Sequence, residues 1–265
     1  MVKPIKTLVL FLSLFLFLTS TAQANKLDEI LETGKIRVGV SLFTPWAMKT
    51  ETGLKGFEID VANKLAQEMG VKPEFKLVVW EEIIPALEND EIDVIISGMS
   101  ITPSRALRIN FSNPYAESGT SLATNISKTK DIKTMKELNQ PETIIAVVSQ
   151  TLGAELAGLL FDKATIKSFG DSEAAEKSVL SGDAHGYVAS MIETSFLMLK
   201  NPEVIDLPLG KPLMNSKAGI AVKRGNQELL NYLNAWITAH TADRWLPTRH
   251  KYWFKTLKWE KELAE

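Results

Sequence analysis

DVIISGMSITPSRALRINFSNPY, residues Asp93–Tyr115, is the stretch whose reading decides the fold. Asp93–Ile96 is a short β-branched apolar run of the kind that becomes a buried strand, and Ser97-Gly98-Met99-Ser100 ends it with small polar residues. Thr102 followed by Pro103 predicts a helix start, with an N-cap hydroxyl and outward-facing amides where an anion can sit. Arg105 follows within one turn. A guanidinium there can grip a carboxylate through two parallel charge-assisted hydrogen bonds, which a lysine or a lone hydroxyl cannot do. The same residues also fit an ordinary strand-to-helix turn in which Ser and Thr satisfy their own backbone and the arginine lies in solvent.

Working outward, the chain has 265 residues, 45% apolar and 23% charged, a globular composition long enough for one large or two medium domains, with two preferred. A net charge of −2 points to neither nucleic acid nor an acidic membrane surface. There is no cysteine, which excludes disulfides, thiolate metal sites, cysteine nucleophiles and lipid attachment through an N-terminal cysteine. His185, His240 and His250 are far apart and form no metal-spaced cluster, and no G-x-S-x-G or P-loop pattern occurs. No cofactor or metal is expected.

Residues 1–24 read as a secretory signal peptide: Lys3 and Lys6, the apolar run Thr7–Leu18, then Ala22-Gln23-Ala24, with cleavage expected after Ala24. The apolar run falls well short of the roughly 20 residues that span a bilayer. Without Lys3 and Lys6 the mature chain carries 28 basic and 32 acidic residues, a net −4. The expectation is a soluble exported protein, periplasmic in a Gram-negative cell.

Along the mature chain, Lys26–Glu32 predicts a short helix closed by Gly34, and Ile36–Val40 a strand leading to the aromatic loop Ser41–Trp46. Gly53–Asp60 fits a hairpin-like turn entering a helix with Val61, Leu65 and Met69 on one stripe. Phe75–Val79 is the next strand, followed by Trp80 and a helix stripe of Ile83, Ile84 and Leu87. Lys128–Asn139 has helical spacing, Ile144–Val148 and Thr165–Phe169 are strands, Ala154–Phe161 and Asp171–Leu180 helices, and Ser181–Met191 a further strand. Such strand-helix units imply parallel sheets with ligands bound beyond the carboxyl ends of the strands. Both the Gly98 turn and the Thr151 loop lie there. Tryptophans in the tail from Trp245 to Leu263, and Trp46, read as packing.

The order G-x-S-x-T-x-x-R, then F-S-x-P-Y, together with Gly53–Asp60, which is close to the family's G-x-x-x-G-F-x-x-D segment, resembles the family 3 periplasmic solute-binding proteins, receptors of polar amino acid ABC importers. The resemblance runs from about Leu27 to the end of the chain. It implies a type II periplasmic binding protein fold, with two α/β lobes, two doubly wound sheets and two hinge strands. Lobe one would be 25–120 and 217–265, and lobe two 121–216, with Gly119–Thr124 and Asn215–Val222 as hinge crossings. A receptor of that family, expected to be a monomer, would hand one small carboxylate ligand, an amino acid or analogue, to an inner-membrane permease, or dock to a sensor kinase.

The resemblance also implies site residues: aromatic walls from Phe43 and Trp80, carboxylate binding by Arg105, and backbone or hydroxyl groups of Gly98, Met99, Ser100, Thr102, Gln150 and Thr151. Departures stand beside the matches. Gln150 replaces the family's usual glycine, Ser41 stands where many relatives carry an acid, and Ser190 occupies the position of the ammonium-binding aspartate. An ammonium buried without a carboxylate costs several kcal/mol, so either Glu193 substitutes or the ligand has no ammonium there. Glu193 also opens an enzyme alternative. The L-D-x-I-L-E-x-G opening and this acid resemble cyclohexadienyl dehydratases, in which such a carboxylic acid would protonate the leaving hydroxyl of prephenate or arogenate.

Overall fold

The computed structural model describes residues 25–256 and 258–260, so the leader expected over residues 1–24 lies outside the described residues. Helix α1 (Lys26–Thr33) leads into β1 (Lys35–Val40), and the hairpin β2 (Met48–Thr50) and β3 (Gly53–Lys55) precedes α2 (Phe57–Met69). Next come β4 (Lys72–Leu77), α3 (Ile83–Glu88), β5 (Val94–Ile95), the single turn α4 (Pro103–Ala106) and the long strand β6 (Ile109–Asn125). Two further single turns, α5 (Ile126–Thr129) and α6 (Met135–Leu138), precede β7 (Ile144–Val148), α7 (Leu152–Leu160), β8 (Thr165–Phe169) and α8 (Ser172–Leu180). The chain continues through β9 (Gly186–Ser190), α9 (Met191–Lys200), β10 (Ile205–Asp206) and β11 (Met214–Lys223), and α10 (Gln227–Ala242) and α11 (Trp245–Lys255) follow.

The strands join in the order β4-β1-β5-β11-β6-β9-β7-β8, with β10 beside β6. β1 lies parallel to β4 and β5, and β7 parallel to β8 and β9. Between these two parallel units run the antiparallel strands β6 and β11. The first part of β6 pairs with β11 and its last part, Thr120–Thr124, pairs with β9. At about 3.3 Å per residue, the 17 residues of β6 span roughly 55 Å, enough to belong to both units. The result is a two-lobed α/β fold whose sheet curls through two shared strands.

Each lobe has apolar packing of its own. Ile83, Leu87, Ile92, Ile95 and Ile109 bury one face of the first lobe, and Leu122, Leu138, Ile145, Val147 and Phe161 one face of the second. Each such side chain contributes about 1.5–3 kcal/mol when taken fully from water. Strand β7, IIAVV, is buried over four of its five residues, as its β-branched composition requires beneath helices on both faces.

Two local expectations change. Residues 128–139 do not form one helix, because the Thr134 hydroxyl accepts from Glu137 N and caps a fresh start in mid-stretch, while Asn125 caps the turn before it. The strand expected over Asp93–Ile96 is confined to Val94–Ile95, and the Asp93 carboxylate instead accepts from Arg37 N at 2.8 Å and pairs with its guanidinium. Phe111–Tyr115 lies inside β6. Pro114, which has no N–H to give, sits opposite Gly219 where the ladder register shifts.

Candidate functional site

The two lobes face each other across a cleft at the carboxyl ends of β5, β7 and β9. The first lobe contributes Phe43, Trp46, Trp80, Gly98, Ser100 and Arg105, the crossing strand β6 contributes Ser118 and Thr120, and the second lobe contributes Thr151, Tyr187, Ser190 and Glu193.

The turn that carries Arg105 is held from several sides. Ser100 bridges to Ala218 of β11, Ile101 N donates to Lys217 O at 2.9 Å, and Gly219 N to Met99 O at 3.1 Å. Gly98 takes a left-handed φ of 61°, and a Cβ there would stand 3.1 Å from the Trp46 ring, so both the backbone and the space call for glycine. Beneath the turn, Tyr115 Oη lies 2.8 and 2.9 Å from the two carboxylate oxygens of Glu58 and accepts from Gly98 N at 3.3 Å. Glu58 is fully buried, and burial pushes its carboxyl up to about 8 against those hydrogen bonds.

Arg105 is 7% exposed and forms no ion pair among the described residues. Its Nη1 donates to Ser100 O at 3.0 Å and Nη2 to Gln150 O at 3.2 Å, and its Cζ lies 5.4 Å from the Trp80 ring centroid. Burial lowers its pKa from the ordinary arginine value, with Glu155 acting in the opposite direction. Phe43 meets Trp80 edge-on at 5.2 Å, forming one apolar wall.

At the second lobe Ser190 caps α9: its Oγ accepts from Glu193 N at 3.2 Å and donates to Glu193 Oε2 at 2.6 Å. Glu193 also accepts from the Ser190 backbone N–H, so Ser190-Met191-Ile192-Glu193 is a capping box. Tyr187 Oη adds a third donor at 3.2 Å. Glu193 is 6% exposed, and burial raises its pKa from the ordinary carboxylate value despite these bonds. Behind it, burial and the neighbouring Glu193 push the Glu176 carboxyl up to about 8. One end of the cleft is thus cationic and the other carboxylic.

The expected residues are not all brought together. Phe43, Trp80, Gly98, Ser100, Arg105, Thr151, Ser190 and Glu193 line the cleft. Met99 does not, because its side chain packs at 1% exposure in the first lobe's core. Thr102 does not line it either, and its hydroxyl accepts from Arg105 N at 3.3 Å. The single turn α4 therefore spends that amide on its own cap, leaving the guanidinium as the cationic group in the cleft. Gln150 stands beside the cleft, lining a smaller hollow with Trp80 and Arg105.

Thr151 lines the cleft while its hydroxyl caps α7, accepting from Ala154 N at 3.1 Å. Ser41 is buried, with its hydroxyl on Val78 O. Trp46 packs against Phe57 and Phe254 and also lines the cleft. Tyr187, Ser118 and Thr120 were not singled out from the sequence. Their only signal was polar residues on strands that alternate toward the cleft.

The sequence profile of the bacterial extracellular solute-binding proteins, family 3, matches residues 36–256. The chain belongs to this family. This member is 25% identical over 236 residues to the cyclohexadienyl dehydratase of Pseudomonas aeruginosa, covering 88% of each chain. It is 23% identical over 240 residues to the L-cystine-binding protein of Escherichia coli, covering 89% of this chain and 88% of the other. Among solved structures, an ancestral amino acid-binding protein that is a precursor of cyclohexadienyl dehydratase superposes with a TM-score of 0.80 at 32% identity, over 87% of this chain and 100% of that one. A lysine complex of an ABC transporter binding component from Wolinella succinogenes superposes with a TM-score of 0.81 at 31% identity, over 86% of this chain and 99% of that one. Among the described residues, no helix of this family member is long and apolar enough to cross a membrane.

Proposed function

We propose that the protein is the periplasmic substrate-binding component of an ABC importer, exported by residues 1–24 as a monomer, and that its cleft closes over an amino acid. The observation that carries this reading is a buried guanidinium, Arg105, with no acidic partner among the described residues, in the same cleft as Glu193, a buried carboxyl with no cationic partner. Two opposite charges left uncompensated at one site are both satisfied by a zwitterion, with its carboxylate on Arg105 and its ammonium on Glu193. Glu193 thereby does the work of the aspartate that Ser190 replaces. Lobes of 25–120 with 217–265, and of 121–216, would rotate about β6 and β11. The closed form is the one a permease recognises.

A thermal-shift screen of L-lysine, L-arginine, L-glutamine, L-cystine, dicarboxylic acids and prephenate tests the reading. A ligand at 100 times its dissociation constant adds about 2.7 kcal/mol of apparent stability. Stabilisation by dicarboxylates and by none of the amino acids would overturn the zwitterion assignment. Glu193→Gln is expected to weaken amino acid binding by about 1.5–3 kcal/mol while the helix cap persists, as measured by calorimetry. The second reading, a dehydratase, is favoured by one observation: a carboxyl of raised pKa inside the cleft. Turnover of prephenate by the wild type, abolished in Glu193→Gln, would replace the receptor reading.

A further inference from the structure

We propose that the peptide carbonyl of Gln150 is one half of an interlobe latch, whose other half is the Trp80 indole N–H assisted by Arg105. Trp80 Nε1 donates to Gln150 O at 3.0 Å and Arg105 Nη2 to the same oxygen at 3.2 Å. Trp80 and Arg105 come from the first lobe and Gln150 from the second, so both bonds cross the cleft mouth. A weaker crossing, Ser172 Oγ to Leu42 O at 3.5 Å, lies at another edge.

The backbone at Gln150 is built for this contact. Its φ is 58°, one of three positive values at non-glycine residues among those described. The other two, Asp90 and Arg244, stand at helix ends, where left-handed residues are common. Gln150 instead sits in the strand-to-helix turn of the second lobe, one residue before the Thr151 cap. A side chain in that conformation is strained and persists where its surroundings hold it. The Gln150 side chain is exposed and makes no hydrogen bond among the described residues, so what the surroundings hold is the carbonyl. Trp80 thus has two roles: its ring walls the cleft and its N–H fastens the lobes. Closure is stabilised partly within the chain itself, so ligand release is governed by an unlatching step as well as by ligand contacts. This rests on the hinge-closing receptor reading.

The absence of cysteine allows a direct test. Spin labels on Leu107→Cys and Leu159→Cys, at exposed positions in opposite lobes, report the interlobe distance by pulsed electron resonance. The measurement is made without ligand, and then with L-lysine, L-arginine or L-glutamine, in three backgrounds: parent, Trp80→Phe and Gln150→Ala. Trp80→Phe keeps an aromatic wall and loses the donor. It is expected to raise the ligand-free population at long distance several-fold and, for any probe that binds, to speed dissociation about tenfold with association within twofold. Gln150→Ala keeps the carbonyl and is expected to match the parent.

A Trp80→Phe distance distribution identical to the parent's overturns the latch, as does a Gln150→Ala effect equal to that of Trp80→Phe. Trp80→Tyr takes its place if Trp80→Phe does not fold. If no probe binds even the parent, the amino acid reading fails on that result, while the ligand-free distances still decide the latch.

Discussion

Replacing Arg105 by alanine is expected to leave the fold intact and to weaken amino acid binding by about 2–5 kcal/mol, a loss of some thirtyfold to several thousandfold. The size follows from burial. Arg105 is 7% exposed, so a bound carboxylate would meet it after both have been taken from water, and removing the cation strands the carboxylate in a desolvated place. The fold survives because the turn has backbone anchors besides the Arg105 Nη1 bond to Ser100 O: Ile101 N, Gly219 N and the Ser100–Ala218 bridge pin it independently of the side chain. Calorimetry with a ligand from the screen measures the loss, and a thermal melt of the ligand-free variant checks the fold. Arg105→Lys restores charge without the planar fork and should recover only part of the affinity. An Arg105→Ala protein that binds as tightly as the wild type would remove the guanidinium from the site.

Glu58→Gln is expected to make the protein more stable at pH 8 by about 4 kcal/mol and to leave stability near pH 4.5 almost unchanged. Burial pushes the Glu58 carboxyl up to about 8 from the ordinary 4.5, so between these values the folded chain holds a proton that the unfolded chain has lost. Stability tied to that proton is fully present below the unfolded value and is lost as the pH rises through the folded one. Glutamine is neutral and of the same shape, so Tyr115 Oη keeps a partner in place of the two contacts at 2.8 and 2.9 Å. Chemical denaturation of both proteins across pH 4.5–8.5 measures the difference. Parallel wild-type and variant curves would show that Glu58 does not carry the proton. The same series bears on the site, because Tyr115 also receives the Gly98 amide at 3.3 Å. Ionising Glu58 would disturb the turn from below.

Much of the fold was legible because it depends on local periodicity and composition. The β-branched run Ile144–Val148 and the strand Thr165–Phe169 have the bounds their residues imply, and Gly34 and Gly70 end their helices in left-handed conformation. The helix stripe of Val61, Leu65 and Met69 is buried as spacing requires. Expectations went astray where a polar side chain competed for backbone groups: Thr134 restarts a helix, and Thr102 takes the Arg105 amide. The capping box Ser190-x-x-Glu193 was legible as a pattern, yet its place in the cleft was not. Glu58 was not singled out, since its burial against Tyr115 joins residues 57 positions apart.

By itself the sequence determined the family, the strand-helix order and the presence of a guanidinium one turn past a glycine-hydroxyl bend, since all of these follow from short-range pattern. Only the tertiary structure decided that Arg105 and Glu193 share one cleft, that Met99 and Thr102 stand apart from it, and that the Gln150 carbonyl reaches Trp80 across the lobes. The reason is physical. Charge pairing and desolvation depend on distances between residues far apart in the chain, which become defined when β6 and β11 bring the lobes face to face.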